Sequence, residues 1–175
     1  MRFEIERKFL VAHDGWRAAV THRMDLRDGL VGQFARGKVR VRLDGGQAWL
    51  TVKGARQGIA RPEFEYEIPV ADAENMLEGI CVGRTIEKTR SVVPFGGLTW
   101  TVDEFRGQLA GIVLAEVELE DEDQDFTRPD WIGREVTGDL RFRQSTLLHL
   151  CREAARTIGL TEILALPEQV LPVQD

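Results

Sequence analysis

The stretch Phe3-Glu4-Ile5-Glu6-Arg7-Lys8-Phe9 decides the fold, because it carries the period of a β-strand with one charged face. Successive side chains of a strand point to opposite faces, so Glu4, Glu6 and Lys8 share one face. Phe3, Ile5 and Phe9 lie on the other. This stretch belongs to a predicted strand at 2–11, and seven further segments have the same character, at 30–35, 39–43, 48–53, 63–70, 85–93, 98–105 and 112–120.

Strands outnumber helices too strongly for a doubly wound fold, so the sequence predicts an α+β protein built on an eight-stranded antiparallel β-barrel with helices packed outside. Helical segments are expected at 14–20, 71–78 and 140–158, and Gly159 fits a C-cap of the last one. We expect one domain over residues 1–158. Residues 159–175 form a tail that packs on the domain or extends from it.

Composition excludes several classes of protein. The chain has 175 residues, of which 43% are hydrophobic, and this supports a packed core. A net charge of -6 disfavours a nonspecific nucleic-acid or membrane binder. Cys81 and Cys151 are the only cysteines, and neither a spanning apolar run nor a signal peptide is apparent. We therefore expect a cytoplasmic protein with no nucleic-acid or membrane partner.

The charges are sorted by strand into basic and acidic lines. An antiparallel sheet with one wet face alternates in this way without any function. Here, however, the apolar faces also need a covering layer, and in a closed barrel helices can supply it from outside. The charged faces then line the interior, where the basic members are Lys8, Arg40, Arg42, Lys53, Lys88 and Arg90 and the acidic members are Glu4, Glu6, Glu63, Glu65, Asp103, Glu116 and Glu118.

A lumen lined by both signs of charge needs water, mutual pairing or a ligand, because desolvating each charge costs several kcal/mol. The best match is a polyphosphate that carries a divalent metal. Lysine and arginine bind phosphate oxygens, and clustered carboxylates suit hard cations such as Mg²⁺ or Mn²⁺. A simple anion site has no need of the carboxylates.

The ordered set of motifs resembles the CYTH family, also called triphosphate tunnel metalloenzymes, and in particular its short bacterial triphosphatase-type members. Glu4-Ile5-Glu6-Arg7-Lys8 matches the ExExK signature of that family, and the resemblance spans residues 2–157. The later matches follow in order, at 40–42, 51–54, 63–65, 86–90, 103 and 116–119. The resemblance implies an eight-stranded tunnel and the hydrolysis or cyclisation of triphosphate compounds with a divalent metal.

The resemblance also implies roles for individual residues. Metal ligands would be Glu4, Glu6, Glu116, Glu118 and Asp103, with Mg²⁺ or Mn²⁺ as the cofactor. Substrate-binding residues would be Lys8, Arg40, Arg42, Lys53, Lys88 and Arg90, and catalytic residues would be Glu4, Glu6, Lys8, Glu63 and Glu65. Asp103, Glu63 and Glu65 would alternatively be ligands of a second metal or supports for the basic side chains. A late basic residue of the tunnel wall would be Arg141 or Arg143.

The predicted activity is the metal-dependent hydrolysis of inorganic tripolyphosphate to pyrophosphate and phosphate. Three alternatives stay open: a class IV adenylate cyclase, a thiamine triphosphatase, and a noncatalytic polyphosphate-binding module. The partner is a small molecule that contains a triphosphate. A homodimer through strand edges or the C-terminal helix is a further possibility.

Overall fold

The computed structural model describes residues 3–154 and 156–168. Its nine strands form one antiparallel sheet with the order β5-β4-β3-β2-β6-β7-β8-β1-β9. Because β1 also pairs with β5, strands β1 to β8 close into a barrel. The predicted eight-stranded antiparallel barrel is therefore confirmed. The strands are β1 (Phe3–Val11), β2 (His22–Phe34), β3 (Gly37–Asp44), β4 (Gln47–Gly54), β5 (Ala60–Glu67), β6 (Thr85–Phe95), β7 (Leu98–Phe105), β8 (Val113–Glu118) and β9 (Ile132–Glu135).

Strand β1 has two neighbours on one edge. Phe3 to Ile5 pair with β5, whereas Phe9 and Val11 pair with β9, and the opposite edge pairs with β8. The ninth strand therefore lies outside the closed ring. The sequence did not predict it, because Ile-Gly-Arg-Glu is short and lacks the alternation of a half-buried strand.

Helix α1 (Val70–Gly79) covers the outside of the barrel. Its Ala73 and Leu77 pack in a buried cluster with Val41 of β3 and Ala48 of β4. The approach to β2 is close, since a Cβ atom added to Gly29 would lie 2.7 Å from Leu77 Cδ2. A second outer cluster is aromatic and centres on Phe9, Trp16, Trp100 and Trp131.

Helix α2 (Gln144–Ala154) closes one end of the barrel. Leu147 and Phe142 join a buried cluster with Leu30, Ile86 and Leu114, which continue the inner faces of β2, β6 and β8. This end of the interior is therefore apolar, and the charges occupy the remainder.

The predicted helix over 140–158 is divided in the structure. A 3₁₀ turn at Leu140–Phe142 precedes α2, and extended backbone at Arg143 separates the two. The predicted C-cap role of Gly159 is wrong, because Gly159 is the N-cap of α3 (Leu160–Ala165).

The tail packs on the barrel through α3, whose Ile163 is buried in the same cluster as Leu147 of α2. Residues 169–175 lie outside the described residues, and the division into a domain at 1–158 and a tail at 159–175 stays a prediction. Among the residues described, none of the helices has the length and apolar character needed to cross a bilayer.

Candidate active site

The inner faces of the strands surround a cavity of about 890 Å³. The cavity is lined by every residue to which the sequence analysis gives a role in metal binding, substrate binding or catalysis: Glu4, Glu6, Lys8, Arg40, Arg42, Lys53, Glu63, Glu65, Lys88, Arg90, Asp103, Glu116 and Glu118. The period of two along each strand places them there, because a closed barrel turns one face of every strand inward. The predicted charged interior is thus one continuous space.

A network of ion pairs crosses β6, β7 and β8. Lys88 Nζ lies 2.6 Å from Asp103 Oδ2, and Arg90 donates to both oxygens of Asp103 at 2.7 Å. Arg90 also contacts Glu116 at 2.9 Å, and Lys8 Nζ lies 2.8 Å from the other oxygen of Glu116. Burial raises the pKa of Asp103 and of Glu116, but the surrounding cations outweigh it and hold both pKa values below the ordinary range. These contacts favour a supporting role for Asp103, and its role as a metal ligand stays a prediction.

Asp28 of β2 is a member of the site that the sequence analysis missed. It is 1% exposed, and Arg42 donates to its two oxygens at 2.7 Å and 3.0 Å. Lys88 lies 3.5 Å away and Arg40 3.9 Å away. Burial works against the charged form, yet these three cations hold the pKa of Asp28 well below its ordinary value. Extending the period of two backwards from Leu30 would have found Asp28 on the inner face.

Lys53 and Arg61 hold the carboxylates at the junction of β1 and β5. Lys53 Nζ lies 2.9 Å from Glu4 and 2.8 Å from Glu63, and Arg61 Nε donates to the second oxygen of Glu4 at 2.5 Å. Burial raises the pKa of Glu4, but Lys53 and Arg61 lower it overall. Arg61 was also missed, although it shares a strand face with Glu63.

Glu118 lies close to two other carboxylates. Partial desolvation first, then the negative charges of Glu4 and Glu6, raise the pKa of Glu118, although this residue keeps an exposed surface. Within the described ranges Glu118 makes no salt bridge, whereas Glu6 has Arg56 at 3.5 Å. A divalent cation would relieve this repulsion, and carboxylate oxygens are the ligands that Mg²⁺ and Mn²⁺ prefer. As the side chains stand, however, the described residues include no group of three acidic, histidine or cysteine side chains arranged to hold a metal ion.

Arg40 is ready to accept an anion. Its Nε is buried and has no hydrogen-bond partner in the described part of the chain, while its Nη2 reaches Thr51 Oγ1 at 3.4 Å. Burial is the main reason that the pKa of Arg40 is lowered, and Asp28 only partly opposes it. Thr51 in turn donates to Glu65 at 2.9 Å, so Glu65 supports the Arg40 side of the tunnel.

The late basic residue of the tunnel wall is Arg143. It lines the cavity, and burial and the charges of Arg56 and Arg61 lower its pKa. Arg141 instead binds Asp139 at 2.6 Å and donates to the carbonyl oxygens of Leu164 and Leu166. Arg141 thus anchors the tail, and of the two alternatives Arg143 faces the cavity.

The family model of the CYTH domain matches residues 2–149, which is most of the chain. The chain belongs to the CYTH family. Membership of this family agrees with the closed barrel and with the charged faces that its strands turn inward. A CYTH relative from Acetivibrio thermocellus, named inorganic triphosphatase, is 47% identical over 83% of this chain and 92% of its own length.

Two further matches carry the same name. A relative from Nitrosomonas europaea, named inorganic triphosphatase, is 40% identical over 82% of this chain and 95% of its own length. The crystal structure of an inorganic triphosphatase superposes with a TM-score of 0.60 at 35% identity. That alignment covers 85% of this chain and 95% of the other. The fold and the family are therefore supported by sequence and by structure.

Proposed function

We propose that this CYTH protein is an inorganic triphosphatase that hydrolyses tripolyphosphate to pyrophosphate and phosphate with Mg²⁺ or Mn²⁺. One observation carries the proposal. A single cavity joins the repelling carboxylates Glu4, Glu6 and Glu118 to a wall of buried cations. The names of the two relatives at 47% and 40% identity support the same reaction.

The carboxylates Glu4, Glu6 and Glu118 are the residues that would hold the metal. When bound, the metal neutralises phosphate charge and lowers the pKa of a coordinated water. Glu116 is paired with Lys8 and Arg90 in this structure. Glu4 is paired in the same way with Lys53 and Arg61, so ion pairing does not separate the two, and a role of Glu116 as a metal ligand stays a prediction.

The basic wall holds the phosphate chain and stabilises the charge of the leaving pyrophosphate. Asp28 orients Arg42, and Asp103 orients Lys88 and Arg90, so these donors are fixed before the substrate arrives. Preorganised donors need no reorganisation during the reaction, and positioning together with such electrostatic stabilisation accounts for most of the catalysis of phosphoryl transfer.

In the reaction, the oxygen of water attacks the terminal phosphorus, and the bond from that phosphorus to the bridging oxygen breaks. Glu63 is suited to orient the water, since burial and the neighbouring Glu4 raise the pKa of Glu63. The proton of the water passes to solvent or to the leaving pyrophosphate.

A phosphate-release panel tests the proposal. Purified protein is incubated with tripolyphosphate, ATP, thiamine triphosphate or pyrophosphate, with Mg²⁺, with Mn²⁺ and with EDTA. We expect fast metal-dependent release from tripolyphosphate only. Cyclic AMP from ATP would instead indicate a cyclase, preference for thiamine triphosphate would indicate that phosphatase, and binding without turnover would indicate a noncatalytic module.

Two finer expectations belong to the same proposal. We place the protein in the cytoplasm, a reducing compartment that suits the free, buried thiol of Cys81. A homodimer stays a prediction, to be checked by light scattering.

A further inference from the structure

Lysine occurs at only four positions in this chain, 8, 38, 53 and 88, and all four side chains line the cavity. Three of them are paired with carboxylates. Lys8 lies 2.8 Å from Glu116, Lys53 2.9 Å from Glu4, and Lys88 2.6 Å from Asp103. Lys38 is different, because it makes no salt bridge and no side-chain hydrogen bond to any residue that the structure describes.

The surroundings of Lys38 are positive. On β3 it lies opposite Lys53 of β4 and opposite the neutral Gln33 of β2. Burial first, then the charges of Arg61, Lys53, Arg40 and Lys8, lower the pKa of Lys38 to about 7.

The nearby carboxylates do not compensate for these charges at Lys38. Glu4 is held by Lys53 and Arg61, and Glu63 is held by Lys53. In the absence of a bound anion, the Lys38 side chain therefore loses its proton at a lower pH than an ordinary lysine does.

We propose that Lys38 is a further substrate-binding residue of the tunnel, and that it takes up a proton when an inorganic phosphate chain binds. The identity of the ligand rests on the proposed function. A phosphate chain beside Lys38 replaces repulsion between cations by attraction, so the ammonium form is favoured in the complex. Binding and protonation at this site are thermodynamically linked, and each strengthens the other.

The sign of the pH dependence follows. Below the pKa of the free protein, Lys38 is already charged and binding takes up no proton there. Between that pKa and the higher pKa of the complex, binding takes up as much as one proton, and affinity falls as the pH rises. Each unit by which the ligand raises the pKa corresponds to about tenfold in affinity.

Lysine-selective NMR provides the direct test, because the chain has only four lysine side chains to resolve. Protein labelled with ¹³C and ¹⁵N at lysine is titrated from pH 5 to pH 11 in EDTA, so that no turnover occurs, with and without excess tripolyphosphate. Lys38→Arg identifies the Lys38 signal by its disappearance. We expect this signal to titrate near neutrality without ligand and at higher pH with it.

Calorimetry in buffers of different ionisation enthalpy measures the protons taken up per tripolyphosphate bound at about pH 8. Wild type should take up more protons than Lys38→Arg, which keeps the positive charge without titrating. Lys38→Met should bind about tenfold more weakly at pH 6.5 and nearly as well as wild type at pH 10. Arg36→Met, which removes an exposed charge on the adjacent hairpin, should leave the proton count unchanged.

Two results would overturn the inference: a Lys38 signal that titrates like an ordinary lysine, or one that tripolyphosphate does not shift. Neither depends on hydrolysis, so the inference can fail while the phosphate-release panel succeeds. Conversely, proton uptake at Lys38 without any phosphate release would retain the inference and overturn the proposed activity.

Discussion

Lys88 Nζ and Asp103 Oδ2 lie 2.6 Å apart in the wall of the tunnel, and the Asp103 side chain is only 2% exposed. Arg90 binds the same carboxylate through two nitrogens. One acidic side chain thus holds two cations of the predicted phosphate site, and its loss leaves both of them buried beside each other.

Asp103→Asn should lower the free energy of unfolding by about 3 kcal/mol, because removing one partner of a buried ion pair leaves an uncompensated charge. Urea denaturation at pH 7 measures it. The matched control is Asp25→Asn, which removes an exposed pair with Arg106 and should cost less than about 1 kcal/mol. An equal loss of unfolding free energy in the two variants would refute the role of Asp103 as a support for Lys88 and Arg90.

Asp28 gives the fold a pH dependence of known sign. Its pKa is lowered in the folded protein, so its contribution to stability is complete above the ordinary carboxyl pKa of about 4 and is lost as the pH falls below it. The difference in unfolding free energy between wild type and Asp28→Asn should therefore be constant from pH 8 to about pH 5.5 and shrink below about pH 4. Urea denaturation at a series of pH values measures this difference, and a constant difference down to pH 3 contradicts it.

Glu116 and Glu118 form a matched pair, two residues apart on one face of β8. Glu116 is paired with Lys8 and Arg90, whereas Glu118 is repelled by Glu4 and Glu6. In EDTA at pH 7, Glu116→Gln should destabilise the fold by about 3 kcal/mol, and Glu118→Gln should leave it unchanged or stabilise it.

Addition of Mg²⁺ or Mn²⁺ tests Glu118 instead, because Glu118 is assigned to the metal ligands and Glu116 is tested through its ion pairs. The thermal stability of wild type and of Glu116→Gln should rise with the metal concentration, and that of Glu118→Gln should rise much less. Metal-dependent phosphate release should be lost in Glu118→Gln. A full metal response in Glu118→Gln would remove this residue from the ligand set.

Gly29 tests how closely α1 packs on the barrel. A Cβ at this position would lie 2.7 Å from Leu77 and 2.8 Å from Cys81 Sγ, so Gly29→Ala should cost about 1–3 kcal/mol by overpacking. Gly46→Ala, whose Cβ meets nothing within 4 Å, is the control and should have little effect on denaturation by urea. A similar cost at both positions would contradict the close approach.

The sequence predicts most of the barrel, because a strand with one charged and one apolar face has a clear period of two. The same rule failed at Asp28 and Arg61, where the alternation was not extended to the start of β2 and β5. Asp28-Gly29 in β2 and Pro62 in β5 are typical of turns rather than strands, and they interrupt both patterns.

Other features were beyond the reach of periodicity. Asp103 and Glu116 have the chemistry of metal ligands, and only the distances to Lys88, Arg90 and Lys8 show which charges they neutralise. Likewise, Arg141 and Arg143 are two residues apart on either side of a helix boundary. The extended backbone at Arg143 determines which of them faces the cavity, and a pattern in sequence does not specify that angle.

The confinement of all four lysines to the interior makes a lysine-specific protease a probe of the intact barrel. Such an enzyme needs an extended, accessible segment on both sides of its target, and each target here lies in a hydrogen-bonded strand. Digestion should therefore proceed only through molecules in which the wall has opened. Under conditions where opening and closing are fast, its rate reports the free energy of that opening.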